Sequence, residues 1–152
     1  MDALLLLKKD HATVKALFKE ANALGERSSA ARKKLFDQID HELSLHARVE
    51  EQLLYPALKA KSKRVSEARD EVFEAYEEHA LVKHLISELK TLDEKDETYK
   101  AKVQVLSELV EHHVKEEESE MFKQARELLG EAELTRMGEQ IGAMKAEAPA
   151  TA

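Results

Sequence analysis

Cysteine is absent from this chain of 152 residues, and its absence excludes several kinds of chemistry. Without thiols the protein has no disulfide, no thiolate nucleophile, no iron–sulfur cluster and no cysteine-ligated zinc site. Any metal held by the side chains must therefore be bound through nitrogen and oxygen atoms.

Long hydrophobic runs and excess positive charge are also missing. The four leucines at 4–7 are too few for a membrane span or a signal-peptide core, and no basic segment or cleavage site accompanies them. The net charge of −7 disfavours nucleic acid and anionic membrane surfaces as partners and is otherwise typical of a soluble protein. We therefore expect a cytoplasmic protein with no nucleic-acid or membrane partner.

Glycine and proline are scarce, with 4 and 2 residues, whereas charged residues make up 36% of the chain. This balance favours long helices with solvated faces over a turn-rich β fold. A hydrophobic fraction of 43% is enough for a core, and 152 residues most simply form one domain.

Apolar residues recur at intervals of three and four along four long stretches, which predicts four helices. The breaks between the stretches fall at Gly25 with Ser28-Ser29, at 61–63 after Pro56, at 93–96 and at Gly130. Short connections predict an all-α, antiparallel up-down-up-down four-helix bundle as one domain over 1–146. A shorter amphipathic stretch at about 131–146 is predicted as an additional C-terminal helix, and 147–152 as a disordered tail.

Each predicted helix has a histidine where its apolar stripe should continue. In HARVEE at 46–51 the histidine lies four residues before a glutamate, and HVKEEE at 113–118 repeats this spacing. Residues four apart share a helix face, so each segment presents a nitrogen and an oxygen toward one point. The second stripe, for example, runs Leu35, Ile39, Leu43, His46, Glu50, Leu53. The polar residues on the four stripes are His11, His46, Glu50, His79, His113 and Glu117. The off-stripe histidines, predicted at the surface or flank, are His41, His84 and His112.

The heights of these residues along the helices also agree. The midpoints between successive stripe histidines fall in the predicted turns, at 28–29, 62–63 and 96. Because residues equidistant from a turn face each other in antiparallel helices, we expect the four histidines and two glutamates in one core layer.

Buried carboxylates without partners cost several kcal/mol, so this layer needs compensating positive charge. Protonated histidines in a polar network would supply it, and a bound cation is the simpler compensation; a metal-free structural bundle is the third alternative. Four imidazoles and two carboxylates are too many ligands for one tetrahedral zinc, but they suit two metal ions bridged by the glutamates. Such a nitrogen-rich pair favours iron, with manganese or zinc as substitutes.

Four motifs contain these residues: KKDH ending at His11, HARVEEQLLYP from His46, EEH ending at His79, and HHVKEEESEMF from His112. With them the sequence resembles the hemerythrin-like (HHE cation-binding) domain family over nearly its whole length. The resemblance implies a non-haem di-iron centre with oxo and carboxylate bridges, in which the four stripe histidines are terminal ligands and the two glutamates are the bridges. It also implies chemistry with O₂, nitric oxide or peroxide at a remaining coordination position.

Two features depart from the oxygen-carrying hemerythrins. Those proteins have a second histidine four residues after the one in helix three, where this chain has Lys83. They also carry a His-x4-Asp pair in helix four, where this chain offers Glu117 at a shorter spacing or Glu118 at the longer one. Reversible oxygen carriage is therefore not expected. One iron keeps a position for water, a small molecule or a side chain such as Tyr76, which shares a face with His79 and is otherwise a core residue.

Two functions follow from this reading. One is a di-iron protein that reacts with O₂, peroxide or nitric oxide, with peroxidase- or catalase-like activity as its enzymatic form. The other is a non-catalytic sensor or carrier that binds O₂, nitric oxide or iron. Both a monomer and a homodimer are compatible with the sequence, because Leu134, Met137 and Met144 can cap the bundle or form a subunit contact.

Overall fold

The computed structural model describes residues 1–24, 28–64 and 66–148, and within these ranges it contains helices and no strand. The helices are α1 (Ala3–Ala23), α2 (Ser29–Val49), α3 (Tyr55–Lys61), α4 (Glu67–Thr91), α5 (Tyr99–Glu116) and α6 (Phe122–Glu147). Two π-helical turns join neighbouring helices without a break, Glu50–Leu54 between α2 and α3 and Glu117–Met121 between α5 and α6. The predicted all-α class is confirmed.

The helix boundaries follow from local chemistry at several breaks. Asp2 caps α1 by accepting a hydrogen bond from the Leu5 amide, and the Ser66 side chain accepts one from the Arg69 amide at the start of α4. Pro56 lies in the first turn of α3, where its missing N–H group leaves no helical hydrogen bond unmade. The predicted break at Gly25 and most of the predicted tail at 147–152 lie outside the described residues.

Gly130 interrupts α6 with a left-handed backbone, φ 78° and ψ 167°, a conformation that costs glycine little. Beyond it, α6 packs against α1 through buried Leu134, Met137 and Ile141. The two chains approach closely at Gly138, where an added Cβ would clash with the Met1 carbonyl oxygen. The second half of α6 is therefore held directly against the beginning of α1.

Two hydrophobic clusters form the core, and the polar layer lies between them along the chain. In α1, for example, Leu7 belongs to the first cluster and Val14 to the second, with His11 between. In α2, Leu43 belongs to the second cluster and Val49 to the first, again on either side of a histidine. None of the described helices is long and apolar enough to cross a membrane.

Candidate metal centre

The six predicted ligands lie together in the interior of the helical bundle, and none exposes more than 7% of its surface. They come from four parts of the chain: α1, α2 with the first π turn, α4, and α5 with the second π turn. The off-stripe histidines are elsewhere, with the His84 and His112 side chains 72% and 66% exposed.

Each π turn begins at a glutamate of the centre. The His46 Nε2 atom lies 3.1 Å from Glu50 Oε1, and the His113 Nε2 atom lies 3.2 Å from Glu117 Oε2. The wider turn begins immediately after each of these pairs, because the Tyr55 amide bonds to the Glu50 carbonyl five residues earlier. The same bond joins the Phe122 amide to the Glu117 carbonyl.

The ligand atoms form two groups that share both glutamates. One group adds His11 and His46, the other adds His79 and His113, and the ligand atoms within each group lie within 4.8 Å of one another. The two imidazole Nε2 atoms are 3.2 Å apart in each group. This arrangement matches two cations with two carboxylates between them.

A carboxylate faces the outer nitrogen, Nδ1, of every imidazole in the centre. The pairs are His11 with Glu118 at 2.8 Å, His46 with Asp10 at 3.0 Å, His79 with Glu51 at 3.3 Å, and His113 with Glu78 at 2.7 Å. A carboxylate at Nδ1 favours the tautomer with its proton there, which leaves the Nε2 lone pair directed at the centre. Glu118, predicted as a second layer or an additional ligand, lies in this outer layer.

These outer contacts also connect the helices in a closed circuit. Asp10 of α1 meets the histidine of α2, and Glu51 after α2 meets the histidine of α4. Glu78 of α4 then meets the histidine of α5, and Glu118 after α5 meets the histidine of α1. Each carboxylate therefore orients a ligand that belongs to the next helix around the centre.

The centre has unsatisfied polar atoms of the kind that a cation would satisfy. Among the residues that the structure describes, Glu50 Oε2 and Glu117 Oε1 are buried and accept no hydrogen bond. Each such buried acceptor costs about 1–3 kcal/mol. The paired Nε2 atoms cannot bond to each other either while both Nδ1 atoms hold the protons. The residues therefore fit a pair of bound cations.

Protons stand in for the cations when the centre is metal-free. Burial disfavours the charged form of His46, but Glu50 and Asp10 outweigh it and raise the imidazole pKa to about 10. Burial likewise opposes charge on His113, whose pKa is nevertheless raised by Glu117 and its neighbours. Burial also opposes ionisation of Glu50, yet His46 holds its pKa well below the usual range. Metal binding would displace these protons.

Tyr55 also reaches the centre, although the sequence analysis did not include it. Its hydroxyl donates to Glu117 Oε2 at 2.5 Å and to Glu50 Oε1 at 3.1 Å, and lies 3.2 Å from His79 Nε2. Burial and the two carboxylates raise the phenol pKa well above its usual value, so this proton is held in the metal-free protein. Tyr76 packs edge-on against Tyr55, with ring centroids 5.3 Å apart, and so supports the ring whose hydroxyl reaches the ligands.

Two lysines contact the outer carboxylates. Lys83 donates to both oxygens of Glu51, at 2.9 and 3.1 Å, and Glu51 faces His79. Lys145, in the last turn of α6, donates to Asp10, which faces His46. The position of the missing second histidine thus carries a cation that fixes an outer carboxylate.

A small cavity of about 40 Å³ adjoins the four histidines. Its apolar walls are formed by Val14, Leu43, Val82, Ile86, Val110 and Val114. A water molecule requires roughly 10–15 Å³ on the same measure, so the cavity has room for a molecule of two heavy atoms.

A family model for the hemerythrin HHE cation binding domain matches residues 2–125. The chain belongs to this family. The buried histidine and glutamate groups described above are thus the cation-binding candidates of an HHE domain.

Known proteins related to this HHE domain include one of solved structure. A crystal structure described as a hemerythrin HHE cation binding domain-containing protein, the Rv2633c homolog from Mycobacterium kansasii, superposes with a TM-score of 0.83 at 29% identity, covering 97% of this chain and 87% of that one. The uncharacterized protein Rv2633c of Mycobacterium tuberculosis is 29% identical over 146 residues, 94% of this chain and 84% of that protein.

A protein of Nostoc sp. named DNA nickase is 27% identical to this HHE domain over 140 residues. The match covers 92% of this chain but only 38% of the Nostoc protein. The chain therefore spans well under half the length of that relative.

Loss of an outer carboxylate should weaken metal binding in this HHE domain. We expect Asp10→Ala to lower metal affinity by roughly 10–100-fold, because Asp10 orients His46 and is itself held by Lys145. Competition with a chromophoric chelator measures the change. Asp37→Ala is the matched control, since it removes only an exposed ion pair with Lys33. Equal affinities for the wild type and Asp10→Ala would contradict the positioning role.

Proposed function

We propose that this HHE domain is a non-haem di-iron protein that binds and reacts with O₂, peroxide or nitric oxide. The observation that carries the proposal is the pair of ligand groups sharing Glu50 and Glu117. In this proposal one iron is held by the histidines of α1 and α2, and the other by those of α4 and α5. The two glutamates bridge the ions.

Iron is favoured over zinc and manganese by the number and kind of donors. Four imidazoles, two carboxylates and the nearby Tyr55 phenol exceed what tetrahedral zinc uses, and the high nitrogen content is less suited to manganese. A bound iron pair supplies Lewis acidity and electrons for a small oxidant. Zinc and manganese remain the substitutes to test.

The side chains around the centre determine what can reach it. The walls of the small cavity are aliphatic away from the centre, so they offer a small uncharged molecule a place beside the four imidazoles and disfavour ordered water. Tyr55 holds a proton at its hydroxyl, 2.5 Å from Glu117 Oε2, next to the ligands on the opposite side of the polar layer. These features support binding of O₂, peroxide or nitric oxide.

We further infer an up-down-up-down arrangement of four helices with an additional C-terminal helix after Gly130, as one domain over 1–146. The 3.2 Å separation of the His11 and His46 Nε2 atoms supports the register expected for antiparallel neighbours. The non-helical backbone at Gly130 supports the separate final helix. A cytoplasmic location and a monomeric or homodimeric state stay predictions.

The test is anaerobic reconstitution with Fe²⁺, followed by elemental analysis and an optical spectrum before and after addition of peroxide or nitric oxide. Two irons per chain and a spectral change that decays as peroxide is consumed would support an enzyme. Two irons with a stable, reversible change would favour the sensor or carrier. Retention of zinc alone, or of no metal, would overturn the di-iron proposal.

Tyr55 gives this proposal an optical signature. We expect its phenol oxygen to be a further iron ligand, because it already lies within 3.2 Å of His79 Nε2 and both glutamates. Phenolate bound to ferric iron absorbs strongly in the visible range, so Tyr55→Phe should lose that band while keeping two irons. Tyr76→Phe is the matched control and should keep the band. An unchanged visible spectrum in Tyr55→Phe would exclude the ligand role.

A further inference from the structure

A second cavity, which we name the acidic cavity, reaches the centre from another direction. It has a volume of about 40 Å³ and is lined by Glu71, Glu74, Glu78, Glu116, Glu120, His113, Glu117 and Met121. Three of these glutamates repeat at helical spacing along one face of α4, and the others lie on α5 and the second π turn. Five carboxylates beyond the ligands thus surround one small space.

The outer part of the acidic cavity has the charge and the geometry to attract a cation. Oxygens of Glu67, Glu71 and Glu120 approach within 4.8 Å of one another. Both Glu71 oxygens are shielded from solvent, and they accept no hydrogen bond from the described part of the chain. Burial and the adjacent Glu120 carboxylate raise the pKa of Glu71 to about 7.

Positive side chains do not neutralise this group. Across residues 1–24, 28–64 and 66–148, no lysine or arginine forms an ion pair with Glu67, Glu71, Glu74 or Glu120. Elsewhere on the surface, lysines pair with acidic residues in the usual way, as Lys102 does with Glu88. The repulsion among these carboxylates is therefore left for a mobile cation to relieve.

The inner end of the acidic cavity supplies an independent indication of a cation. Glu117 lines it, is only 1% exposed, and has one oxygen that accepts no hydrogen bond within the described ranges. His113 lines it as well and belongs to the same ligand group. The cavity therefore joins the outer carboxylates to unsatisfied ligands of the centre.

We propose that the acidic cavity is the route by which divalent cations reach the centre, with Glu67, Glu71 and Glu120 as a transit site. The inference rests on the proposed metal-binding function and adds how the metal is acquired. A cleft lined by one sign of charge concentrates counter-ions, and carboxylate oxygens replace water around a hard cation. The apolar cavity at the four histidines offers an ion no such ligands, so ions and small uncharged molecules approach the centre by different paths.

Stopped-flow uptake of Co²⁺ by the chelator-treated, full-length protein tests the route, because Co²⁺ bound to nitrogen and oxygen ligands absorbs visible light. The double variant Glu71→Gln with Glu120→Gln should take up Co²⁺ at least about tenfold more slowly at low ionic strength, the lower end of electrostatic steering effects. Its final stoichiometry and affinity should match the wild type. Added salt should slow the wild type more than the variant.

The matched control is Glu20→Gln with Glu139→Gln, which removes the same charge at exposed positions of α1 and α6 outside the cavity. Its uptake rate should stay within about twofold of the wild type, since distant exposed charges are screened. Thermal unfolding of the Glu71/Glu120 variant should occur at or above the wild-type midpoint, because glutamine removes repulsion. The single variant Glu74→Gln, at the exposed side of the cavity, should give a smaller slowing and does not depend on the double variant folding.

The outcomes separate the route from the metal site. Wild-type uptake of Co²⁺ with equal rates in the Glu71/Glu120 variant would overturn the route and leave the proposed metal centre standing. Equal slowing in the charge-matched control would also overturn it, because net charge alone would then explain the rates. Failure of the wild type to bind Co²⁺ would overturn the metal centre and the route together.

Discussion

Glu117→Ala should empty the centre, reducing bound iron from two ions per chain to less than one after anaerobic loading and desalting. Glu117 belongs to both ligand groups, with Oε1 lying 3.2 Å from His11 Nε2 and Oε2 lying 3.2 Å from His113 Nε2. Its loss removes a ligand from each ion and the acceptor of the Tyr55 hydroxyl. Because outer partners alone change affinity by roughly 10–100-fold, we expect more than about 100-fold from this shared ligand.

Elemental analysis measures this loss directly. Glu111→Ala is the control, because it removes a carboxylate from the exposed face of the same α5 helix. Circular dichroism should show that both variants remain helical, since Glu117→Ala removes a buried charge rather than an apolar contact. Retention of two irons by Glu117→Ala would mean that the glutamate does not bridge the ions.

Removal of the metal from the wild-type protein should lower its thermal midpoint by roughly 8–16 °C. A ligand that binds only the folded state contributes about 4 kcal/mol at a free concentration one thousand times its Kd. For a chain of this size, each kcal/mol shifts the midpoint by roughly 2–4 °C. The large effect is expected because the six ligands interrupt the core, where Glu50 and Glu117 keep unsatisfied oxygens among the described residues.

Calorimetry with and without a chelator measures this shift, and re-addition of Fe²⁺ should restore the higher midpoint. The Glu117→Ala variant should unfold at the same temperature with and without chelator, since it has no metal to lose. Identical midpoints for the wild type under both conditions would show that the polar layer is stable through its protonated histidines alone.

The helical class and the meeting of the six ligands were predictable because they depend on one simple period. His46 and Glu50 are four residues apart, so they share a face of any regular helix. The same period fails just beyond them, where it predicts Leu53 as the next core residue. Leu54 and Tyr55 are buried instead, because the first π turn takes an additional residue. Tyr55 was missed for this reason.

The outer carboxylates were beyond the sequence for a different reason. Asp10 precedes His11 in the chain but hydrogen bonds to His46, and Glu78 precedes His79 but bonds to His113. Sequence spacing identifies neighbours within one helix, whereas these partners depend on how adjacent helices are rotated against each other. Sequence spacing likewise gave no reason to expect Lys145 to reach Asp10 from the last turn of α6.

The two π turns give this protein an unusual sensitivity to chain length. Each turn holds one residue more than a regular helix would, and one residue corresponds to a rotation of about 100° for everything that follows. At Gln52 or Ser119, which are exposed, the type of residue matters little compared with its presence. A one-residue gap in a related sequence at either place would therefore mark a homologue whose downstream helix faces the centre differently.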